Sequence, residues 1–303
     1  MPRSFLFRSA LILGLLAAAG NAGAQDDGQL EDNLSAYVGA NAEGYLGPLR
    51  DGIGGALNSG LFMYPGVPEG GFHFRLDGRA AVTMYKDEDR TFRATTDPSF
   101  GDAQTVDAPT VVGSTESITV TDPGSGAQFT FPGGFDVDSF GMVAPQLTVG
   151  SIFGTEFMGR YLTFDPDDLE IDKLELWGVG ARHSLNHWFK EMPVDITLHG
   201  MYQNLKVDDD FIDSNALSLG GEVGKTFGVL AAYGGVSYTT VDLDAQYESD
   251  ASGVTETADV MLEKSNQVDF GLGATLKLMF LHLNAEYHLS DHNSYALGIG
   301  LGN

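Results

Sequence analysis

Charged side chains recur at every second position of otherwise apolar segments, and that spacing decides which of them can act together. Arg75, Arg79, Arg160, Arg182 and Lys277 are the basic members, and Asp77, Glu156, Asp195, Glu222, Asp269 and Glu286 the acidic ones. His73, His199, His282 and His288 keep the same phase. In an extended strand, residues two apart share a face, so each segment presents its charges on one side and its apolar residues on the other. Buried charges must be paired, and two lists that nearly balance predict interlocking ion pairs that fill a narrow interior. The competing expectation is a polar conduit or binding cavity. It draws on Gly178, Gly180, Gly220, Gly271, Gly273, Gly298 and Gly300, which withdraw side chains from the same inner face. Glycine there makes room for a ligand, for another segment of chain, or for strand coiling.

Other groupings offer weaker chemistry. Asp165, Asp167, Asp168 and Glu170, followed by Asp172, put hard oxygen donors close enough to hold Ca²⁺, although without the full EF-hand pattern. Asp208-Asp209-Asp210 with Asp213, and Asp242, Asp244, Glu248 and Asp250, form similar clusters. The alternative is a solvated acidic rim. Glu286, His288 and Ser290 faintly resemble the His/Ser pairs of outer-membrane lipid hydrolases. Nucleophilic catalysis needs a base within hydrogen-bond reach and an oxyanion donor, which this spacing alone does not supply. No phosphate-cradling glycine loop and no zinc helix motif is present, and no cofactor is expected beyond a weak case for Ca²⁺.

The elements that carry these residues read as strands. Phe72, Phe74, Leu76, Ala80 and Val82 alternate with His73, Arg75, Asp77, Arg79 and Thr83. Val268 to Leu278, Leu281 to Tyr287 and Tyr295 to Leu301 repeat the pattern. Strands are expected at 72–85, 140–151, 155–164, 173–184, 193–206, 214–226, 229–246, 264–278, 281–289 and 293–302. Long polar connections at 86–139, 165–172, 207–213 and 247–263 take turns with tight ones at 152–154, 227–228 and 279–280. A soluble sandwich also alternates, but long loops at one end and tight turns at the other fit a closed antiparallel transmembrane β-barrel of about 10 strands, within a range of 8–14. Two aromatic bands mark its expected interfaces. Phe153, Trp188, Phe189, Phe227 and Phe280 form one, and Tyr85, Tyr161, Phe164, Tyr202 and Tyr238 the other.

The N-terminal quarter is different. Arg3 and Arg8, the apolar run Ala10–Ala19 and Ala22-Gly23-Ala24 predict a signal peptide over residues 1–24. Leu30, Leu34, Tyr37, Val38, Tyr45 and Leu46 are spaced for one face of a short helix over 29–47, which Pro48 is expected to stop. Residues 25–71 are read as a plug lying inside the barrel or across its periplasmic mouth, and 72–303 as the barrel, with 86–139 a long extracellular insertion. A helix lying on the membrane surface is the alternative.

Composition limits the partners. Forty-two acidic residues against 16 basic ones give a net charge of −26, which excludes nucleic acid. Cysteine is absent, so there is no disulfide framework and no thiol chemistry. The 43% of hydrophobic residues argues against disorder.

Particular stretches also carry a likeness. Ala56-Leu57-Asn58-Ser59-Gly60-Leu61-Phe62, Asp107-Ala108-Pro109-Thr110, Ala144-Pro145-Gln146 with Gly154-Thr155-Glu156, Arg160-Tyr161-Leu162, and Gly178 to His183 before Trp188 resemble a group of uncharacterised bacterial outer-membrane barrels. That group is of the Bacteroidetes type and distantly similar to barrels of the long-chain fatty-acid transporter type. The resemblance covers most of the chain and implies a fold and an outer-membrane location, with no established activity. The expectation is an outer-membrane barrel that passes or binds a small amphipathic molecule and meets membrane lipids and the barrel-assembly machinery. A non-transporting interaction barrel and, third, a lipid hydrolase are the competing classes.

Overall fold

The computed structural model describes residues 28–37, 39–68, 71–96, 103–165, 173–208, 211–249 and 256–302. The expected signal peptide lies outside them. The chain begins with helices α1 (Gly28–Ser35) and α2 (Ala40–Asn58) and continues into strand β1 (His73–Met84). Two small hairpins follow, β2 (Thr91–Thr95) with β3 (Thr105–Pro109) and β4 (Ile118–Thr121) with β5 (Gln128–Phe131). Then come β6 (Ser139–Ile152), β7 (Thr155–Phe164), β8 (Leu174–Ser184), β9 (Asp195–Val207), β10 (Ile212–Phe227), β11 (Leu230–Ser249), β12 (Glu256–Leu278), β13 (Leu281–Leu289) and β14 (Ser294–Gly302).

Strands β6–β14 pair each with the next, and β1 closes the sheet by pairing with both β6 and β14, giving a ten-stranded closed antiparallel barrel. The alternation explains the closure. Leu272, Phe270, Leu297, Ile299 and Leu76 all stand more than half exposed on the outside. Asp269, Glu286, His288, Arg79 and Asp77 are buried inside. Closing the sheet leaves no unpaired edge, and the apolar exterior forms a band far larger than a soluble surface tolerates.

That band ends at a level the strands themselves mark. On β11, Val236 and Tyr238 face outward while Ser237 and Thr239 are buried. Further along, the polarity inverts. Asp242, Asp244, Gln246 and Glu248 take the outer face, and Leu243, Ala245 and Tyr247 the inner one. Beyond that level the strands form an ordinary water-facing wall around an apolar core. The sequence placed 247–263 in a loop, whereas the β11–β12 ladder continues through Ser249 and Glu256. The reason is a register shift between Val241 and Leu243, opposite which β12 breaks its own alternation between Leu262 and Ser265. A bulge of this kind flips the phase and hides the strand from a period-two reading.

Two residues of the expected upper aromatic band also move. Tyr161, Tyr202 and Tyr238 face outward, with Trp177 5.5 Å from Tyr202. Tyr85 and Phe164 instead share the inner-facing parity of Thr83 and Arg160, and Tyr85 packs against Gly52 of α2.

Pro48 does not stop the helix; it lies inside α2. Proline is disfavoured there because its ring crowds the preceding residue and the carbonyl four residues back. Here the preceding residue is Gly47, which has no Cβ to clash, and the fourth residue back is Gly44, seated against the Phe92 ring. The helix runs inside the barrel, touching β1, β6, β10, β11, β12 and β14. It does not lie across the tight-turn mouth. Its start lies at the long-loop end, where the Tyr45 carbonyl accepts the Val111 N–H (3.0 Å) and Asn33 donates to the Gly133 carbonyl (3.1 Å). Residues 86–96 and 103–138 fold over this end as a cap, in which Tyr37, Tyr45, Phe92 and Phe131 pack together. Burial pushes the Tyr45 phenol up to about 12, so it stays a donor, and its hydroxyl reaches the Gly133 carbonyl at 3.0 Å.

Candidate functional site

The barrel interior has two layers. Toward the long-loop end, Leu34, Leu46, Ile53, Ala56 and Leu57 of the N-terminal segment meet Leu174, Leu176, Leu205, Ala216 and Leu243 of the wall, all buried. The sequence led us to expect a polar inner face throughout, and this apolar layer departs from that expectation. It arises because the inner positions of β8–β12 turn apolar where the outer ones turn polar. Toward the tight-turn end lies the charged layer, and through it passes the stretch from Ser59 to Val67.

The charged layer is built around three consecutive residues of that stretch. Phe62 stacks on His288, ring centroids 5.5 Å apart, and meets His199 edge-on at 5.3 Å. A methyl group at Gly271 would collide with the Phe62 ring, so this glycine makes room for the plug. Met63 has a φ of 64°, an unusual conformation outside glycine. Its N–H donates to Glu286 Oε1 (2.9 Å), its carbonyl accepts from Asn284 (3.1 Å) and Thr275, and its sulfur accepts from Arg75 (3.0 Å) and Gln146 (2.9 Å). The Tyr64 ring receives Arg75 at 4.3 Å and Arg182 at 4.5 Å, and its hydroxyl donates to Glu156. A guanidinium against an aromatic ring is favourable by about 2 kcal/mol when desolvated.

Nine of the eleven charges expected in this interior are buried there, and eight of them divide into two linked groups. Arg75 bonds Asp77 at 2.7 Å, and Arg79 lies 3.9 Å from Asp77 and 3.8 Å from Glu286. Glu286 continues to His288 Nε2 (3.1 Å), and His288 Nδ1 to Asp269 (2.9 Å). In the second group Arg182 lies 3.3 Å from Glu156 and also pairs with Glu222, while Glu156 holds His73 at 2.7 Å. Arg182 further donates to the carbonyls of Phe62 (2.6 Å) and Tyr64. Arg160 joins neither group and is treated below.

Lys277 and Asp195 fall outside this interior. Lys277 is exposed and Asp195 is half-buried beside Gly66. Both have the inner parity, but Lys277 sits one rung from the tight turn and Asp195 at the very start of β9, where the strands run out and water begins. Of the expected calcium cluster, Asp165 is among the described residues; Asp167, Asp168 and Glu170 lie outside them. Elsewhere on the rim Asp213 pairs with Lys206 (2.9 Å) and Asp242 with Lys264 (3.8 Å). Among the described residues, no three His, Asp or Glu side chains are arranged to hold a metal ion. The hydrolase-like pair is not assembled. Both ring nitrogens of His288 face carboxylates, and the Ser290 hydroxyl donates to the His292 carbonyl (2.8 Å).

Sequence reasoning missed the stretch 59–67 as the part of the plug that the charges grip. Its signal was a single one of the expected inner glycines, Gly271. Gly298 and Gly300 make room for Arg79 and Asp77, and Gly220 for His199 and Ser237, but Gly271 makes room for Phe62.

Fold and interior together define a closed ten-stranded barrel with an apolar outer band and an interior occupied by its own N-terminal segment. The chain belongs to a family of unknown function, DUF6588, which it matches over residues 1–303. No curated protein matches it. Among solved structures it is similar to a loop-deletion mutant of the outer-membrane protein OmpT of Vibrio cholerae, at 15% identity over 77% of this chain and 98% of that one, with a TM-score of 0.27. It is also similar to Salmonella typhi OmpF in complex with daunomycin (12%, 77% and 97%, TM-score 0.23). A third is the Ralstonia pickettii toluene transporter TbuX (6%, 78% and 90%, TM-score 0.24).

Proposed function

We propose that this protein is a bacterial outer-membrane barrel, closed at rest by its own N-terminal segment, that admits a small amphipathic molecule when that segment shifts. The membrane reading is supported by the apolar outer band and its inversion beyond Tyr238, since a bilayer requires an apolar exterior between two interfaces. The long loops and the cap then face outside the cell and the tight turns face the periplasm. The kinship with fatty-acid transporter-type barrels stays an expectation from the sequence.

One observation carries the gating part. Residues 59–67 pair with no strand of the wall; their backbone is held by side chains, among them Arg182, Asn284, Thr275 and Glu286. A segment held this way is a separate body inside the wall, and it can move without breaking the ladder of the barrel. The second reading is a non-transporting barrel that presents its loops to a partner. It is favoured by the cap, whose two hairpins cover the plug from outside.

Liposome swelling with small solutes tests the proposal. The intact protein, purified from the outer-membrane fraction, is expected to swell liposomes slowly. Arg182→Gln, which removes the donors to the Phe62 and Tyr64 carbonyls, is expected to raise the rate. A soluble periplasmic pool of the protein, or fast swelling by the intact barrel, contradicts the proposal.

A further inference from the structure

Arg160 differs from the other buried arginines of the interior. Arg75, Arg79 and Arg182 each have a carboxylate within 4.0 Å, whereas Arg160, 3% exposed, has none among the described residues. Its donors go to neutral acceptors instead. Nε donates to Gln146 (2.9 Å), and Nη1 to Gln203 (2.9 Å) and to the Leu57 carbonyl (3.0 Å). Nη2 points at the carbonyls of Ser59 (3.3 Å) and Gly60 (3.4 Å). Leu57, Ser59 and Gly60 form the C-terminal end of α2 and its exit, where unpaired carbonyls gather about half a negative charge. The nearest negative partner of Arg160 is therefore the plug itself, with the carboxylates of Glu286 and Asp77 acting from beyond 4.0 Å.

This makes the plug hard to remove unaided. Until water or another acceptor takes their place, a shift of α2 strips Arg160 of its carbonyl acceptors and leaves a cation between two glutamine amides. A buried charge left without a partner is strongly disfavoured. The closed arrangement is also under-satisfied at the same spot. The Asn58 side chain, 5% exposed, has no partner for either its nitrogen or its oxygen among the described residues. The helix end thus gives up less on moving than a fully bonded end would.

We propose that Arg160 is a ligand-coupled latch, at which an oxyanion headgroup on an apolar tail competes with the plug carbonyls. The inference rests on the gated reading above and names the ligand class for it. A planar or tetrahedral oxyanion offers the guanidinium fork two charged acceptors in place of the neutral carbonyls. The tail of such a ligand fits the neighbouring layer of Leu174, Leu176, Leu205 and Leu243, which in the closed form shares one core with Ile53, Ala56 and Leu57 of α2. Neither an alcohol nor an amine of the same length can replace the lost counter-charge.

The test uses the full-length protein in liposomes, at fixed ionic strength. Decanoate, decyl sulfate, decanol and decyltrimethylammonium are compared at equal concentrations below micelle formation, with protein-free liposomes as the baseline. Both anions are expected to raise the swelling rate about tenfold over decanol, the change that a modest differential affinity for the open state produces. Arg160→Gln is expected to abolish the advantage of decanoate over decanol. Arg160→Lys, which keeps the charge but not the fork, is expected to shrink it. An equal response to decanol, or a decanoate response preserved in Arg160→Gln, overturns the latch. If Arg160→Gln does not assemble, the comparison of probes on the unaltered protein decides alone. A barrel lacking residues 28–67 separates the two claims. If it fails to conduct, the gated reading falls; if it conducts while the intact protein ignores decanoate, the latch alone falls.

Discussion

Phe62, Met63 and Tyr64 show how side chains from many strands converge on one short stretch. Their neighbours come from β1, β6, β7, β8, β9, β12 and β13, so no local sequence pattern announces the contact. The charges themselves were legible, because alternation sorts inner from outer positions wherever a strand is regular. Their partners were not. Arg160 is answered by backbone carbonyls about a hundred residues away, and carbonyls leave no mark in a sequence. Gly271 gives a direct test at this scale. Gly271→Ala is expected to displace Phe62 and raise the swelling rate of the protein, because the added methyl overlaps the ring. Phe62→Ala should relieve that overlap, so the double variant is expected to fall well short of the two single effects added together. Strict additivity of the two substitutions would place Phe62 elsewhere.

At the scale of elements, the period-two pattern located every wall strand but misjudged where some of them end. The failure on β12 came from its bulge, and that on α2 from packing that overrides the cost of Pro48. Tyr85 and Phe164 were misassigned although their parity already pointed inward. The inversion of outer polarity is the more useful lesson, since it divides one strand into a part with an apolar outer face and a part with a polar one. Leu272 and Met261 both lie on the outer face of β12, 66% and 69% exposed, on opposite sides of the bulge. Leu272→Arg is expected to destabilise the folded barrel by about 2–4 kcal/mol in lipid, as arginine does near a bilayer midplane. Met261→Arg is expected to cost less than about 0.5 kcal/mol, in the range of ordinary surface changes. Urea titration in liposomes measures both, and equal costs would refute the assigned boundary.

On the scale of the whole molecule, the protein is a wall with a second body inside it. The wall closes by hydrogen bonds between strands; the inner body is held by an apolar layer toward the loops and a charged layer toward the turns. The sequence could announce the wall because a barrel repeats one rule ten times. It could not announce how deep the N-terminal segment reaches, since amphipathicity alone does not choose between a lumen and a membrane surface. The central claim is that this segment, and not the wall, closes the barrel. Planar-bilayer recording on a variant lacking Gly28 to Val67 tests it most directly, once slower migration on boiling has shown that the barrel still assembles. The account predicts discrete, stable conductance steps from the deleted form and none from the intact protein. An assembled deletion variant that stays silent would contradict it, because the wall charges would then seal the barrel by themselves.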